Sequence, residues 1–339
     1  MDVEERKIQI TGGKTFIVSL PKAWGDSIGL KPGSKVVWVP QPSGDLLLKV
    51  KDEAFAQQEV IIHIDEIRGE RLAREIIALY IAGFPIIRFK AKRISLEQIE
   101  VLKKNVKRLI GPEIIEETSE EVVIQDFLNI KSFTVDKCLK RMYLFATSMH
   151  KDALQALIDN NMDLARGVLQ RDDEVDRLFL LILRQLSSVL ASLRVPETTS
   201  LSILDYFSYY EAAQYIERIA DHALRISRMV LKLNKKNIPS DFLKKLEKAS
   251  GAMNEMLNLA FNSLINQDLE LADRAINSKQ IIEKTLQEAD IKLFDFDSDV
   301  LFAIGIIKDS IDRSGDYCKN ISEIAINRIM IKKLQPNKI

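Results

Sequence analysis

The chain has 339 residues, enough for two or three domains whose cores need no covalent staple. Its 49 basic residues balance 49 acidic ones, which excludes a uniformly basic nucleic-acid coat or a polybasic membrane anchor but leaves local basic faces open. Cys138 and Cys318 stand far apart, without the paired spacing of zinc or redox sites.

The charged start lacks a secretory-leader pattern, and no segment holds 18 consecutive uncharged apolar residues. A cytoplasmic protein with no transmembrane segment is the expectation.

Residues 1–52 are rich in Gly, Pro and strand formers. "KIQI" and "TFIVSL" predict two strands around the "TGGK" turn at 11–14, and "KVVWV" and "DLLLKV" predict a second pair around "PQPSGD". Between the pairs, Pro21 opens one short helical stretch that Gly29 closes. A linker is expected near 52–59.

A small α/β domain follows at 60–127. Its predicted strands are 60–64, 85–89, 113–117 and 121–125, and apolar spacing predicts helices over 67–82 and 95–109. It has no Gly-rich phosphate loop. Arg68, Arg71 and Arg74, with Lys90, Lys92 and Arg93, read as a solvated face.

From about 132 the chain reads as six long helices, 132–159, 162–192, 200–234, 240–266, 268–292 and 297–334, broken at "NNMD", "RVPETTS", "NKKNIPS", "NQD" and "FDFDSD". They form two copies of three. "LIDNNMDLARGVLQRDDEVDRL" (157–178) aligns with "LINQDLELADRAINSKQIIEKT" (264–285) at an offset of 107. "YIERIADHALRI" (215–226) aligns with "SIDRSGDYCKNI" (310–321) at an offset of 95, the difference falling in the loop before each third helix. The expected organisation is therefore multidomain: a β domain at 1–52, the α/β domain at 60–127, and tandem three-helix repeats at 132–235 and 240–334.

Each repeat places two acids four residues apart on one helix face: Glu217 and Asp221, then Asp312 and Asp316. The second helices add Asp172, Asp173 and Asp176 in the first repeat, against Lys279, Gln280 and Glu283 in the second, and Asp309 precedes the second pair by one turn. Hard oxygen donors from neighbouring helices suit a divalent or ferric ion. The same acids also suit structural ion pairs: Arg218 and Arg313 are placed to bridge the bundle, and Arg225 to neutralise Glu217 and Asp221. Both readings stand at this level.

The residues quoted from these repeats resemble the acid-x-x-x-acid signature of the PhoU family of phosphate-uptake regulators, over about 135–334. The resemblance implies iron or other multinuclear metal clusters, the first on Glu217, Asp221, Asp172 and Asp176, the second on Asp312, Asp316 and Glu283, to which the helix face adds Asp309 as a candidate ligand. It also implies an accessory role beside the cytoplasmic components of a phosphate ABC transporter. Arg225 and Lys279 depart from the pattern, each setting a positive charge where an acid or amide is expected. His222 reads as a packed histidine.

"RKIQITGGKTFIVSLPKAW" and "GLKPGSKVVWV" resemble the SpoVT/AbrB-type DNA-binding domain. That resemblance implies swapped hairpins completed by a second chain, hence a homodimer, with Arg6, Lys7, Lys14 and Lys22 near DNA phosphates and Gln9 and Thr11 near base edges. Eight Lys or Arg against six Asp or Glu in this segment is a weak excess, and a protein-binding hairpin domain stays open. The combined expectation is a non-enzymatic, phosphate-responsive transcription regulator. Its alternatives are an accessory scaffold without DNA and a carboxylate-metal hydrolase; against the last, no Ser or Cys nucleophile stands beside any of the three histidines.

Overall fold

A computed structural model describes residues 4–40, 44–50, 59–128, 133–192, 195–196, 199–233, 238–289 and 297–334. Residues 52–58 of the expected linker, and parts of the breaks at "RVPETTS", "NKKNIPS" and "FDFDSD", lie outside the described residues. The chain divides into two compact units, residues 1–55 with 337–339, and residues 56–336.

The first unit holds two separate hairpins. Strands β1 (Gln9–Thr11) and β2 (Thr15–Ile17) pair antiparallel with Gln9 opposite Ile17. Strands β3 (Val36–Pro40) and β4 (Leu46–Val50) pair with Val36 opposite Val50. The first two strands are shorter than the sequence pattern predicts, since pairing within one chain stops at Gln9 and Ile17. Helix α1 (Lys22–Ser27) starts after Pro21 and ends at Gly29, whose φ of +69° suits glycine; there the Leu30 amide donates to the Gly25 carbonyl at 2.9 Å.

The second unit opens with a four-stranded sheet ordered β5-β6-β8-β7: β5 (Glu59–His63), β6 (Ile86–Lys90), β7 (Pro112–Glu117) and β8 (Glu121–Asp126). β5 and β6 run parallel and are joined through helix α2 (Gly69–Ala82). Helix α3 (Leu96–Lys107) starts at a capping box in which Ser95 and Gln98 satisfy each other's amides. The Gln98 amide nitrogen also donates to the Ile64 and Ile67 carbonyls, at 2.7 and 2.9 Å, fixing the helix to the end of β5. Leu72, Ile76, Tyr80, Phe89 and Leu102 fill the core.

Six helices follow at the positions the periodicity predicts: α4 (Val135–Ile158), α5 (Met162–Ser192), α6 (Ile203–Leu233), α7 (Ser240–Asn266), α8 (Leu269–Glu288) and α9 (Ser298–Leu334). The repeat extends to backbone detail. Asn160 and Gln267, at the 107-residue offset, both adopt the left-handed conformation, with φ of 54° and 56°. The next residue in each copy then caps the second helix: Asn161 Oδ1 accepts from the Asp163 and Leu164 amides, and Asp268 Oδ1 from Glu270 and Leu271.

One apolar core runs through both bundles. At the α6–α9 seam sits an ionic knot. Arg328 Nε donates to Asp205 Oδ1 at 2.6 Å and its Nη1 to the Leu264 carbonyl, while the guanidinium lies over the Tyr209 ring. Lys332 Nζ adds a 2.8 Å contact to the same oxygen, and Ser202 caps the other carboxylate oxygen through its amide and hydroxyl. The two principal side chains are each only 2% exposed, so this pair is desolvated and fully bonded. α4 and α7 meet through the stacked Tyr143 and Phe261 rings and line a groove of about 580 Å³ with Tyr143, Lys151, Ser250 and Asn254.

The α/β domain is tied to the first bundle. Arg184 of α5 reaches Asp126 at 2.5 Å and lies over the Tyr80 ring, and Arg108, just past α3, pairs with Asp176 at 3.0 Å.

Candidate functional site: two acidic helix faces and an exposed hairpin

In the first repeat, α5 presents Asp172 and Asp176 and α6 presents Glu217 and Asp221, all partly buried. Burial and, after it, their mutual repulsion move their acidity. Burial, then Asp221 and Asp176, push the Glu217 carboxyl up to about 7. Burial, then Asp176 and Asp221, push Asp172 up to about 6. Asp221 and Asp176 are also raised, burial leading in both, with Arg108 opposing the rise at Asp176. The expectation that Arg225 neutralises Glu217 and Asp221 is corrected: its guanidinium crosses to Asp309 of α9 at 3.6 Å.

These raised carboxyls have a testable sign. A carboxyl that holds its proton more tightly when folded favours the fold at low pH and disfavours it as pH rises through its folded value. The window for Glu217 and Asp172 therefore runs from the ordinary carboxylate range up to about 7. Glu217→Gln is expected to remove part of this penalty, stabilising the protein by ~1–2 kcal/mol at pH 8 after solvent screening and by little at pH 5. Urea unfolding at the two pH values measures it; equal gains at both would contradict the repulsion.

The second repeat is built differently. Asp312 and Asp316 of α9 face Lys279 and Glu283 of α8. Lys279 Nζ lies 2.6 Å from Asp312 Oδ1 and 2.8 Å from Asp316 Oδ1, with Glu283 Oε1 at 3.9 Å. Burial works against its charge, but the bonds to Asp312 and Asp316 outweigh that and raise its pKa. Asp309 lies 3.6 Å from Arg225 and 3.8 Å from Arg313, and lines one cavity with Glu283 and Asp312.

Among the described residues, no three His, Cys, Asp or Glu side chains converge closely enough to hold a metal ion. The all-oxygen first face suits a hard cation by donor chemistry, while the second already contains an ammonium group. His222 is packed, its ring beside Tyr317, and burial holds its pKa down at about 4.

In the first unit, Arg6, Lys7, Gln9, Thr11, Lys14 and Lys22 are all exposed, as a surface role requires. Gln9 and Thr11 alternate with Ile10 on β1 and so share its opposite face. Arg6 is paired with Glu4. Ile8, Ile10 and Phe16 are 68, 65 and 74% exposed, and Ile10 stands opposite Phe16 in the hairpin.

Sequence reasoning missed Arg108, Asp205 and Arg328. No spacing rule links Asp205 to Arg328, 123 positions away.

Together these features define a protein of two tandem three-helix bundles with acidic faces, preceded by an α/β domain and a small hairpin unit. Residues 139–230 match the model of the PhoU domain, and residues 9–54 match that of "Antidote-toxin recognition MazE, bacterial antitoxin". The chain carries a PhoU domain behind a MazE/AbrB-like N-terminal domain.

Relatives include the phosphate-specific transport system accessory protein PhoU homolog 1 of Thermotoga maritima, 25% identical over 193 residues, 55% of this chain and 82% of that protein. The PhoU homolog of Borreliella burgdorferi is 24% identical over 183 residues, 51% and 81% of the two chains. The bundle fold is that of the PhoU crystal structures from Pseudomonas aeruginosa and Streptococcus pneumoniae. The first has a TM-score of 0.50 at 20% identity, covering 60% of this chain and 98% of that one. The second has a TM-score of 0.51 at 17% identity, covering 57% and 92%. No described helix is long and apolar enough to cross a membrane.

Proposed function

We propose that the protein is a phosphate-responsive transcription regulator that acts as a homodimer in the cytoplasm. Its first unit binds DNA, and its helical repeats engage the cytoplasmic components of a phosphate transporter. The observation that carries this reading is the presence in one chain of a PhoU domain and a MazE/AbrB-like hairpin domain. The accessory proteins named among its relatives support the transporter half.

The dimer half is supported by burial. Among its described residues the first unit has no buried side chain, and it leaves Ile8, Ile10 and Phe16 on an open face. Pairing with a second copy covers that face and completes the strands that end early. Gln9, Thr11, Lys7 and Lys14 then lie on or beside the solvent side of the hairpin, placed to meet a duplex.

A divalent or trivalent metal, iron among them, would draw on the four carboxylates of the first repeat, which would have to close around it, since as placed no three of them converge. Their raised proton affinities come first from burial and then from one another's charge, and a bound cation would offset the second.

Fluorescence anisotropy with promoter DNA from phosphate-transport genes, run across a salt series, tests the DNA half. Affinity is expected to fall steeply with salt, and Lys7→Ala or Lys14→Ala is expected to weaken binding and reduce the log–log slope by about 1 each. Salt-independent or absent binding by the intact dimer would leave the transporter-docking scaffold as the function.

A further inference from the structure

We infer that the second repeat carries its own cation: the Lys279 ammonium group stands at the position that Asp172 holds in the first repeat, and the second acidic face takes no metal. The inference rests on the geometry of α8 and α9 and is independent of the DNA and transporter reading.

At the 107-residue offset Lys279 falls opposite Asp172, so an acid in one repeat is a lysine in the other. The remaining acids are matched, with Asp312 opposite Glu217, Asp316 opposite Asp221 and Glu283 opposite Asp176. The lysine is not a surface residue swinging over the acids, since its side chain is only 9% exposed. An ammonium has three N–H donors. Here three acceptors take them: the Asp312 carbonyl at 2.7 Å, Asp312 Oδ1 at 2.6 Å and Asp316 Oδ1 at 2.8 Å. A metal ion bound by Asp312 and Asp316 would need the same oxygens and the same space, and would meet a fixed positive charge there.

A second sequence change makes room for the lysine. Gly315 stands opposite Ala220 of the first repeat. A Cβ at 315 would lie 3.1 Å from Lys279 Cδ and 3.2 Å from Ile282 Cδ1, tighter than ordinary packing. The glycine therefore lets the lysine stem pass between α8 and α9. Lys279 and Gly315 act together, and each is the residue by which the second repeat differs from the first at its position. The two repeats are thus chemically unequal: the second face holds a buried ammonium group between its acids, whereas the first has four acids, met at Asp176 by Arg108 of the α/β domain.

Titration of the full-length protein with Mn2+, the free ion followed by electron paramagnetic resonance, tests this. Asp316→Asn is expected to leave the number of bound Mn2+ ions at the wild-type value and their affinity within twofold. Lys279→Met is expected to gain one Mn2+ per chain, and adding Asp312→Asn to that variant removes the gain.

A wild-type site lost in Asp316→Asn, or no additional ion in a Lys279→Met protein of wild-type helix content, would overturn the inference. Should Lys279→Met fail to fold, Lys279→Gln takes its place, and the Asp316→Asn comparison decides in either case. Asp221→Asn reports on the first repeat separately, so an absence of metal there is distinguished from a failure here.

Discussion

Replacing Arg328 with methionine is expected to destabilise the helical unit by ~3–5 kcal/mol, because it strands the Asp205 carboxylate between α6 and α9. The Asp205 carboxylate has three cation or cap partners in place, and the change removes the most buried of them. Lys332 and Ser202 stay on the carboxylate, which sets the loss toward the lower end of that range. The Leu264 carbonyl loses its donor as well.

Urea unfolding gives the test: a large fall in midpoint with an unchanged slope identifies a stability loss in an otherwise intact fold. Adding Asp205→Asn should recover part of the loss, since the stranded charge is then gone. Strict additivity of the two changes would contradict the pairing. The Asp205 carboxyl is held below its ordinary range, burial being outweighed by Lys332, the Ser202 amide and Arg328. Its contribution is therefore present above the ordinary carboxylate pKa and lost as pH falls through the lowered value, opposite in sign to that of Glu217.

Placing an aspartate at Phe16 is expected to dissociate the proposed dimer. Phe16 is 74% exposed within one chain and faces Ile10 across the hairpin, so in the dimer it moves from water to an apolar seam. Burying one such side chain contributes about 1.5–3 kcal/mol, and twofold symmetry counts it twice. The loss, ~3–6 kcal/mol, corresponds to roughly 10² to 10⁴ in the dimer dissociation constant. Sedimentation equilibrium of the full chain measures this directly, and DNA affinity should fall with it. A Phe16→Asp protein that stays dimeric at wild-type concentrations would show that the first unit is not the interface.

Much of the helical architecture was legible because the apolar positions recur at helical spacing and the breaks carry capping residues. The structure places α5 and α7 on the predicted bounds of 162–192 and 240–266. The acid faces were legible for the same reason, since residues four apart share a face.

What those acids touch was not legible. Arg225 reads in sequence as the neighbour of Asp221 one turn on, yet a side chain of that length reaches the adjacent helix and finds Asp309 there. Lys279 reads as a departure from a pattern, and its role follows only when α8 and α9 bring it against Asp312 and Asp316. Arg108 belongs to a different domain from Asp176, and no local pattern joins them. The order of the four-stranded sheet, with β8 between β6 and β7, depends likewise on long-range pairing.

The two bundles are fastened to each other on two pairs of helices. Along α6 and α9 the bundles are joined by the desolvated Arg328 and Asp205, and α4 meets α7 through the stacked Tyr143 and Phe261 rings, the Tyr143–Asn258 hydrogen bond and the buried His150–Ser250 contact. Two clasps on different helices leave neither edge to swing alone. Rotating one bundle against its neighbour must therefore break at least one of them.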